Sequence, residues 1–84
     1  MSVEVVVYSG RGCHLCDEAK AVLERERRRL GFALREVDIT GDPELEAAYR
    51  EEIPVVLVGG RRAFKFRVDP IELERRVRAA TIGA

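Results

Sequence analysis

The chain has 84 residues, and its 15 Lys and Arg balance 15 Asp and Glu to a formal charge of zero. That balance excludes the one-sided basic field that nucleic-acid binding requires, and a hydrophobic share of 46% excludes a globally disordered chain. The length fits one domain over residues 1–84, and the longest apolar runs, Val5 to Tyr8 and Pro54 to Val58, fall far short of the ~20 residues of a membrane-spanning helix.

Met1 leads straight into a strand pattern, without a charged n-region, an apolar h-region or a cleavage site, so a cytoplasmic, membrane-free protein is expected. Val3 to Tyr8 is a β-branched run suited to a strand buried on both faces. Leu15, Ala19, Val22, Leu23 and Leu30 then fall at helical spacing, Arg27, Arg28 and Arg29 crowd the helix end, and Gly31 is placed to terminate it. A second strand is expected over about Ala33 to Ile39, although its alternation does not separate polar from apolar residues. Asp42 as N-cap and Pro43 at the first helical position open a short helix with Leu45, Ala48 and Tyr49 on its apolar side.

Pro54 to Val58 reads as a third strand, Gly59-Gly60 as a two-residue hairpin turn, and Arg61 to Phe66 as a charged edge strand. Asp69, Pro70 and Glu72 supply an N-cap, a first-turn proline and a capping-box acid for a last helix with Leu73, Val77 and Ala80 on its buried stripe. Ile82, Gly83 and Ala84 read as a loose end. The predicted order is β-α-β-α-β-β-α, an α/β domain with a four-stranded mixed sheet. The first two strands are parallel, the last two antiparallel, and helices cover both faces.

Cys13 and Cys16 are the only cysteines, and they fall where the first strand hands over to the first helix. Unpaired N–H groups and the positive end of the dipole at a helix N-terminus favour thiolate, the nucleophilic form. A bridge between them closes too small a loop to stabilise the fold much, so stapling is a poor reason for the pair. A Cys-x-x-Cys beside a strand–helix–strand pattern reads as a thioredoxin-like redox motif. Arg11 adds a nearby positive charge. His14, the single histidine, is a candidate thiolate stabiliser, the alternative being an exposed neutral ring at the rim. The charged run Glu24 to Arg29 reads as a solvated helix face, and Tyr8, Phe32, Tyr49, Phe64 and Phe66 as core or strand-face residues.

Three segments make the chain resemble a small glutaredoxin-like protein of the thioredoxin fold: Val7-Tyr8-Ser9 with Cys13-His14-Leu15-Cys16 and Asp17 to Lys20; Val37-Asp38-Ile39-Thr40 leading into Asp42-Pro43-Glu44; and Ile53-Pro54-Val55-Val56. The resemblance implies that Cys13 is the nucleophile of a redox-active disulfide and Cys16 its resolving partner. It also implies that Ile53-Pro54 is a cis-proline segment whose backbone pairs with a substrate strand. The dipeptide His14-Leu15 departs from the Pro-Tyr of typical glutaredoxins, and Phe66-Arg67-Val68-Asp69-Pro70 stands where they carry a Gly-Gly and an acidic pair for glutathione. Asp69 is the residue left to serve there. The tail is more similar to that of glutaredoxin-like electron donors reduced by thioredoxin reductase.

The expected function is thiol–disulfide oxidoreduction, with disulfide-containing proteins or glutathione mixed disulfides as substrates. Glutathione or a thioredoxin-reductase system is the external reductant, no cofactor is bound, and a monomer is expected. The alternative is a metal or iron–sulfur carrier. Two thiolates and one histidine fall short of a closed four-ligand zinc site, so that alternative needs ligands from a second molecule.

Overall fold

The computed structural model describes residues 3–82. It contains β1 (Glu4–Ser9), α1 (His14–Leu30), β2 (Ala33–Asp38), α2 (Pro43–Tyr49), β3 (Val55–Val58), β4 (Arg61–Lys65) and α3 (Pro70–Ile82). The strands form one sheet in the order β2-β1-β3-β4; β1 pairs with β2 in parallel and with β3 antiparallel, and β3 pairs antiparallel with β4. β1 is therefore an inner strand, which is why Val5, Val6 and Val7 are all buried despite pointing to alternate faces.

Register assigns the two faces. Val5 and Val7 lie opposite Val58 and Val56, and these four join Leu23 of α1, Phe32, and Leu73 and Val77 of α3 in one core. Val6 and Tyr8 point the other way, where the Tyr8 ring stacks on Tyr49 of α2 with centroids 4.5 Å apart. Thus α1 and α3 cover one face and α2 the other. The poor alternation of the second strand has a physical cause. Leu34 and Glu36 register with Val5 and Val7, so a carboxylate occupies a helix-side position. It is compensated there, accepting hydrogen bonds from Ser9 Oγ at 3.0 Å and Lys20 Nζ at 2.9 Å.

Local signals set the boundaries. Asp42 Oδ1 accepts from the backbone N–H groups of Glu44 and Leu45, capping α2. Gly31 ends α1 at φ 80° while donating to the Arg27 carbonyl. Gly59 and Gly60 both have positive φ, as a two-residue hairpin of primed type requires.

Four local expectations need correction. Ala48 is exposed, and the short α2 meets the sheet through Tyr49, stacked on Tyr8. Glu72 makes no capping box: Arg75 and Arg76, one turn ahead on α3, both donate to its carboxylate and pull its pKa down to about 2. The charged run on α1 is not simply solvated, since Glu26 is buried and ion-paired. Phe66 belongs neither to β4 nor to the core, because a bulge at Ala63 and a positive φ at Phe66 turn the chain out after Lys65. Of the expected loose end, α3 includes Ile82, and Gly83 and Ala84 lie outside the described residues. No described helix is long and apolar enough to cross a membrane.

Candidate active site

The inner position of β1 brings its C-terminal end, Ser9, to the sheet edge from which Gly10, Arg11 and Gly12 lead into α1. Cys13 is the N-cap of α1, with extended backbone at φ −95° and ψ 106°. Its Sγ accepts a hydrogen bond from the Cys16 N–H at 3.1 Å, and its carbonyl accepts from Asp17 N–H at 3.2 Å. A sulfur thus occupies the place usually taken by a capping oxygen. Cys13 and Cys16 are disulfide-bonded across the first turn, with Cα atoms 5.2 Å apart. Their environments differ: Cys13 is half-buried, whereas Cys16 is 1% exposed on the core side of the helix.

The loop before the cysteines is held from two directions. Arg11 N–H donates to Thr40 Oγ1 at 3.0 Å, and Thr40 N–H donates to Asp38 Oδ1 at 2.8 Å. The Thr40 backbone N–H first, and its hydroxyl second, hold the Asp38 carboxyl below its ordinary range, with the Arg11 charge adding to the effect. From the other side, the Ile53 side chain packs on the loop so closely that a Cβ on Gly10 would lie 2.7 Å from Ile53 Cδ1. Gly10 therefore permits the cysteine loop and the Ile53-Pro54 segment to meet.

The Ile53–Pro54 peptide bond is cis, and Pro54 is fully buried. The Pro54 carbonyl accepts from Phe66 N–H at 2.9 Å, so the chain leaving β4 borders the same region. Phe66 has φ 68°, a left-handed conformation that costs a residue with a Cβ roughly 1–2 kcal/mol. It is 40% exposed, with Lys65 Nζ 5.6 Å from its ring centroid. A groove of about 160 Å³ lies between Leu15, Glu18, Ala19 and Val22 of α1 and the segment Phe66 to Val68.

Beneath the first turn of α1, Lys20 and Ser9 both donate to Glu36. The Lys20 hydrogen bond is the larger cause that lowers the Glu36 pKa, and Glu36 in turn raises that of Lys20. This fixes α1 against both β1 and β2 close to the cysteines.

The sequence-derived residues are therefore not equally placed. Cys13 and Cys16 are bonded to each other, and Ile53 packs on their loop. Arg11 joins the site through its backbone, with an exposed side chain. His14 is the exposed first residue of α1, and no described residue pairs with its ring. Asp69 is engaged elsewhere, its Oδ1 accepting from Ile71 N–H to cap α3. Sequence reasoning missed Gly10, Thr40 and Phe66. The Thr40 segment carries the family resemblance without an assigned role, and the sequence pattern puts Phe66 with the core or strand-face aromatics. No three His, Cys, Asp or Glu side chains among the described residues group as a metal site.

Comparison with known proteins matches this arrangement to a family. A model of the glutaredoxin-like domain (DUF836) matches residues 4–78. An uncharacterised protein of Mycobacterium tuberculosis is 29% identical over 86 residues, spanning 96% of this chain and 89% of its own length. The solved structure of protein XcR50 from X. campestris is 31% identical, covers 89% of this chain and 96% of its own, and superposes with a TM-score of 0.74. Thioredoxin from Fasciola hepatica, at 18% identity over 94% of this chain and 81% of its own, shares the fold with a TM-score of 0.64. With its Cys-x-x-Cys pair at the head of α1 and a thioredoxin-like sheet, the chain belongs to the glutaredoxin-like domain family.

Proposed function

We propose that the chain is a thiol–disulfide oxidoreductase working through Cys13 and Cys16. One observation carries the reading: two cysteines of unequal access are bonded across a helix tip, the accessible one serving as the cap. In the reduced protein the same tip favours a thiolate at Cys13, because the Cys16 N–H and the helix dipole both act on that sulfur. Cys13 attacks a substrate disulfide, forming a mixed disulfide and expelling one substrate thiolate. Cys16, once deprotonated, attacks the Cys13 sulfur, closes the Cys13–Cys16 bond and releases the second substrate thiol. Two electrons have then passed to the substrate, and an external dithiol or two thiols must return them.

Disulfide-containing proteins are the proposed substrates, within the cytoplasm. Glutathione and a thioredoxin-reductase system are the two candidate reductants. The second is favoured by Pro70, which has no N–H for a ligand carboxylate, and by the engagement of Asp69 in capping. His14, at the first helical position, is proposed to add positive charge near Cys13 when protonated, and the Ile53 backbone to pair with a substrate strand.

The test is turnover of a model disulfide with NADPH and each reducing system in turn. Cys13→Ser is expected to abolish reduction, and Cys16→Ser to accumulate a mixed disulfide visible by intact mass. Undiminished turnover by the Cys13→Ser protein refutes the assignment.

A further inference from the structure

We infer that Thr40, on the connection from β2 to α2, is a positioning residue for Cys13: its hydroxyl holds the cysteine loop so that the reduced sulfur stays on the helix tip. The inference rests on the oxidoreductase reading and adds to it a residue outside the cysteine motif. Cys13 caps α1 from an extended backbone, at φ −95° and ψ 106°, which turns Sγ back to the Cys16 N–H. The three residues before it do not enforce that conformation by themselves. Gly10 and Gly12 lack a Cβ, and Gly12 sits at φ 73°, so the segment has a wide choice of backbone states. In the oxidised protein the Cys13–Cys16 bond keeps the sulfur in place. Reduction breaks that bond, and the other attachments of the loop are left to do the holding.

Thr40 supplies the directional attachment. Arg11 N–H, two residues before Cys13, donates to Thr40 Oγ1 at 3.0 Å, and a Cβ on Gly10 would lie 3.9 Å from the same oxygen. That oxygen is fixed in turn. Thr40 N–H donates to Asp38 Oδ1 at 2.8 Å, and the hydroxyl also bonds that carboxyl. A hydroxyl that donates to a carboxylate is polarised into a better acceptor for the N–H behind it. Asp38 pairs with Ser9 in the sheet, and Ile39 N–H donates to the Ser9 carbonyl at 2.9 Å. These contacts tie a glycine-flanked loop to the inner strand of the sheet. Ile53 packs on the loop from the other side through an apolar contact, which limits distance and leaves orientation to the hydrogen bond. Without the Thr40 oxygen, Arg11 N–H turns to water and the loop gains freedom. Cys13 Sγ then spends less time accepting from the Cys16 N–H, and its thiolate loses part of the stabilisation the helix tip provides.

The experiment follows iodoacetamide labelling of each cysteine in the reduced protein as a function of pH, beside turnover of a model disulfide. Thr40→Val removes the oxygen but keeps the branched shape of an exposed residue. It changes no charge, so Arg11, His14, Asp17, Glu18 and Asp38 stay as they are and a moved pH profile reports geometry. In this variant the midpoint of Cys13 labelling is expected to move up. Its rate near pH 7 is expected to fall about three- to tenfold, the range of one net hydrogen bond. Thr40→Ser restores the oxygen and is expected to stay within about twofold of the wild type. Cys16 labelling reports opening of the fold and is expected to be the same in all three proteins. An unmoved midpoint in Thr40→Val overturns the inference, as does an equal loss in Thr40→Ser. Faster Cys16 labelling in Thr40→Val also overturns it, because Thr40 would then act on stability alone. If the wild type turns over the disulfide and Thr40→Val keeps the wild-type midpoint, only the role of Thr40 falls. A wild type that reduces no disulfide removes the oxidoreductase reading with it.

Discussion

The two ends of α1 are built on opposite plans. At the C-terminal end, two of the three arginines of the last turn are paired: Arg27 with Glu24, Arg29 with Glu26, and Arg29 again with Glu74 of α3 at 2.6 Å. Gly31 then closes the helix. At the N-terminal end the cap is a sulfur, His14 and Glu18 carry no partner among the described residues, and the adjoining groove is open. One end uses its electrostatics to hold α1 to α3. The other is tied to the sheet through Lys20 and Glu36, and leaves its outermost turn, with the field of the helix tip, free of paired charge at Cys13 and His14. Stability and reactivity are therefore separable along a single helix.

The largest effect that would break this comparison is in activity. Cys13→Ser is expected to lower disulfide exchange by at least about a hundredfold while leaving the melting temperature close to that of the reduced wild type. If the variant instead unfolds at a much lower temperature than the reduced protein, Cys13 has a structural role that this division of labour denies. Next is the residue between the two ends. Leu23 is fully buried, and Leu23→Ala should cost ~2–5 kcal/mol in denaturant unfolding, affecting both ends together. Gly31→Ala places a Cβ at φ 80° and should cost about 1–2 kcal/mol while exchange kinetics stay unchanged.

The legible and illegible parts of this chain divide along physical lines. The order of elements was readable because each boundary carries its own chemistry: Asp42-Pro43, Gly31 and Gly59-Gly60 act on neighbouring backbone only. The cysteine site was readable for the same reason, the spacing of Cys13 and Cys16 being a local fact. What sequence alone did not reveal depends on distant partners. The second strand's alternation leaves its faces unassigned, and Glu36 finds its place only because Ser9 and Lys20 meet it from two other elements. Thr40 acquires its role only when β2 lies beside β1, and Gly10 only when Ile53 folds against it. Phe66 misleads because Phe64, Lys65 and Phe66 read as strand alternation, while the bulge at Ala63 and the positive φ at Phe66 are announced by no residue type.

The smallest expected effect concerns acid. Arg75 first and Arg76 second lower the Glu72 pKa to about 2, below the ~4.3 of a free glutamate. A carboxyl lowered on folding stabilises the fold above its unfolded pKa and ceases to do so as pH falls through the folded value. Melting temperature should therefore decline between about pH 4 and pH 2, and Glu72→Gln should flatten part of that slope. The group is half-buried beside exposed arginines, so the change is modest and shrinks in high salt. Identical slopes for the variant and the parent would show that the arginine pairs do not hold α3 together in solution.

The central claim is that α1 presents one reactive sulfur and conceals the other. Alkylation of the freshly reduced native protein with limiting iodoacetamide near pH 7, followed by peptide mapping over time, tests it directly. The account predicts that Cys13 is modified at least about tenfold faster than Cys16, because only Cys13 is both accessible and, as the N-cap of α1, placed to accept from the helix N–H groups. Equal rates, or earlier modification of Cys16, would contradict it.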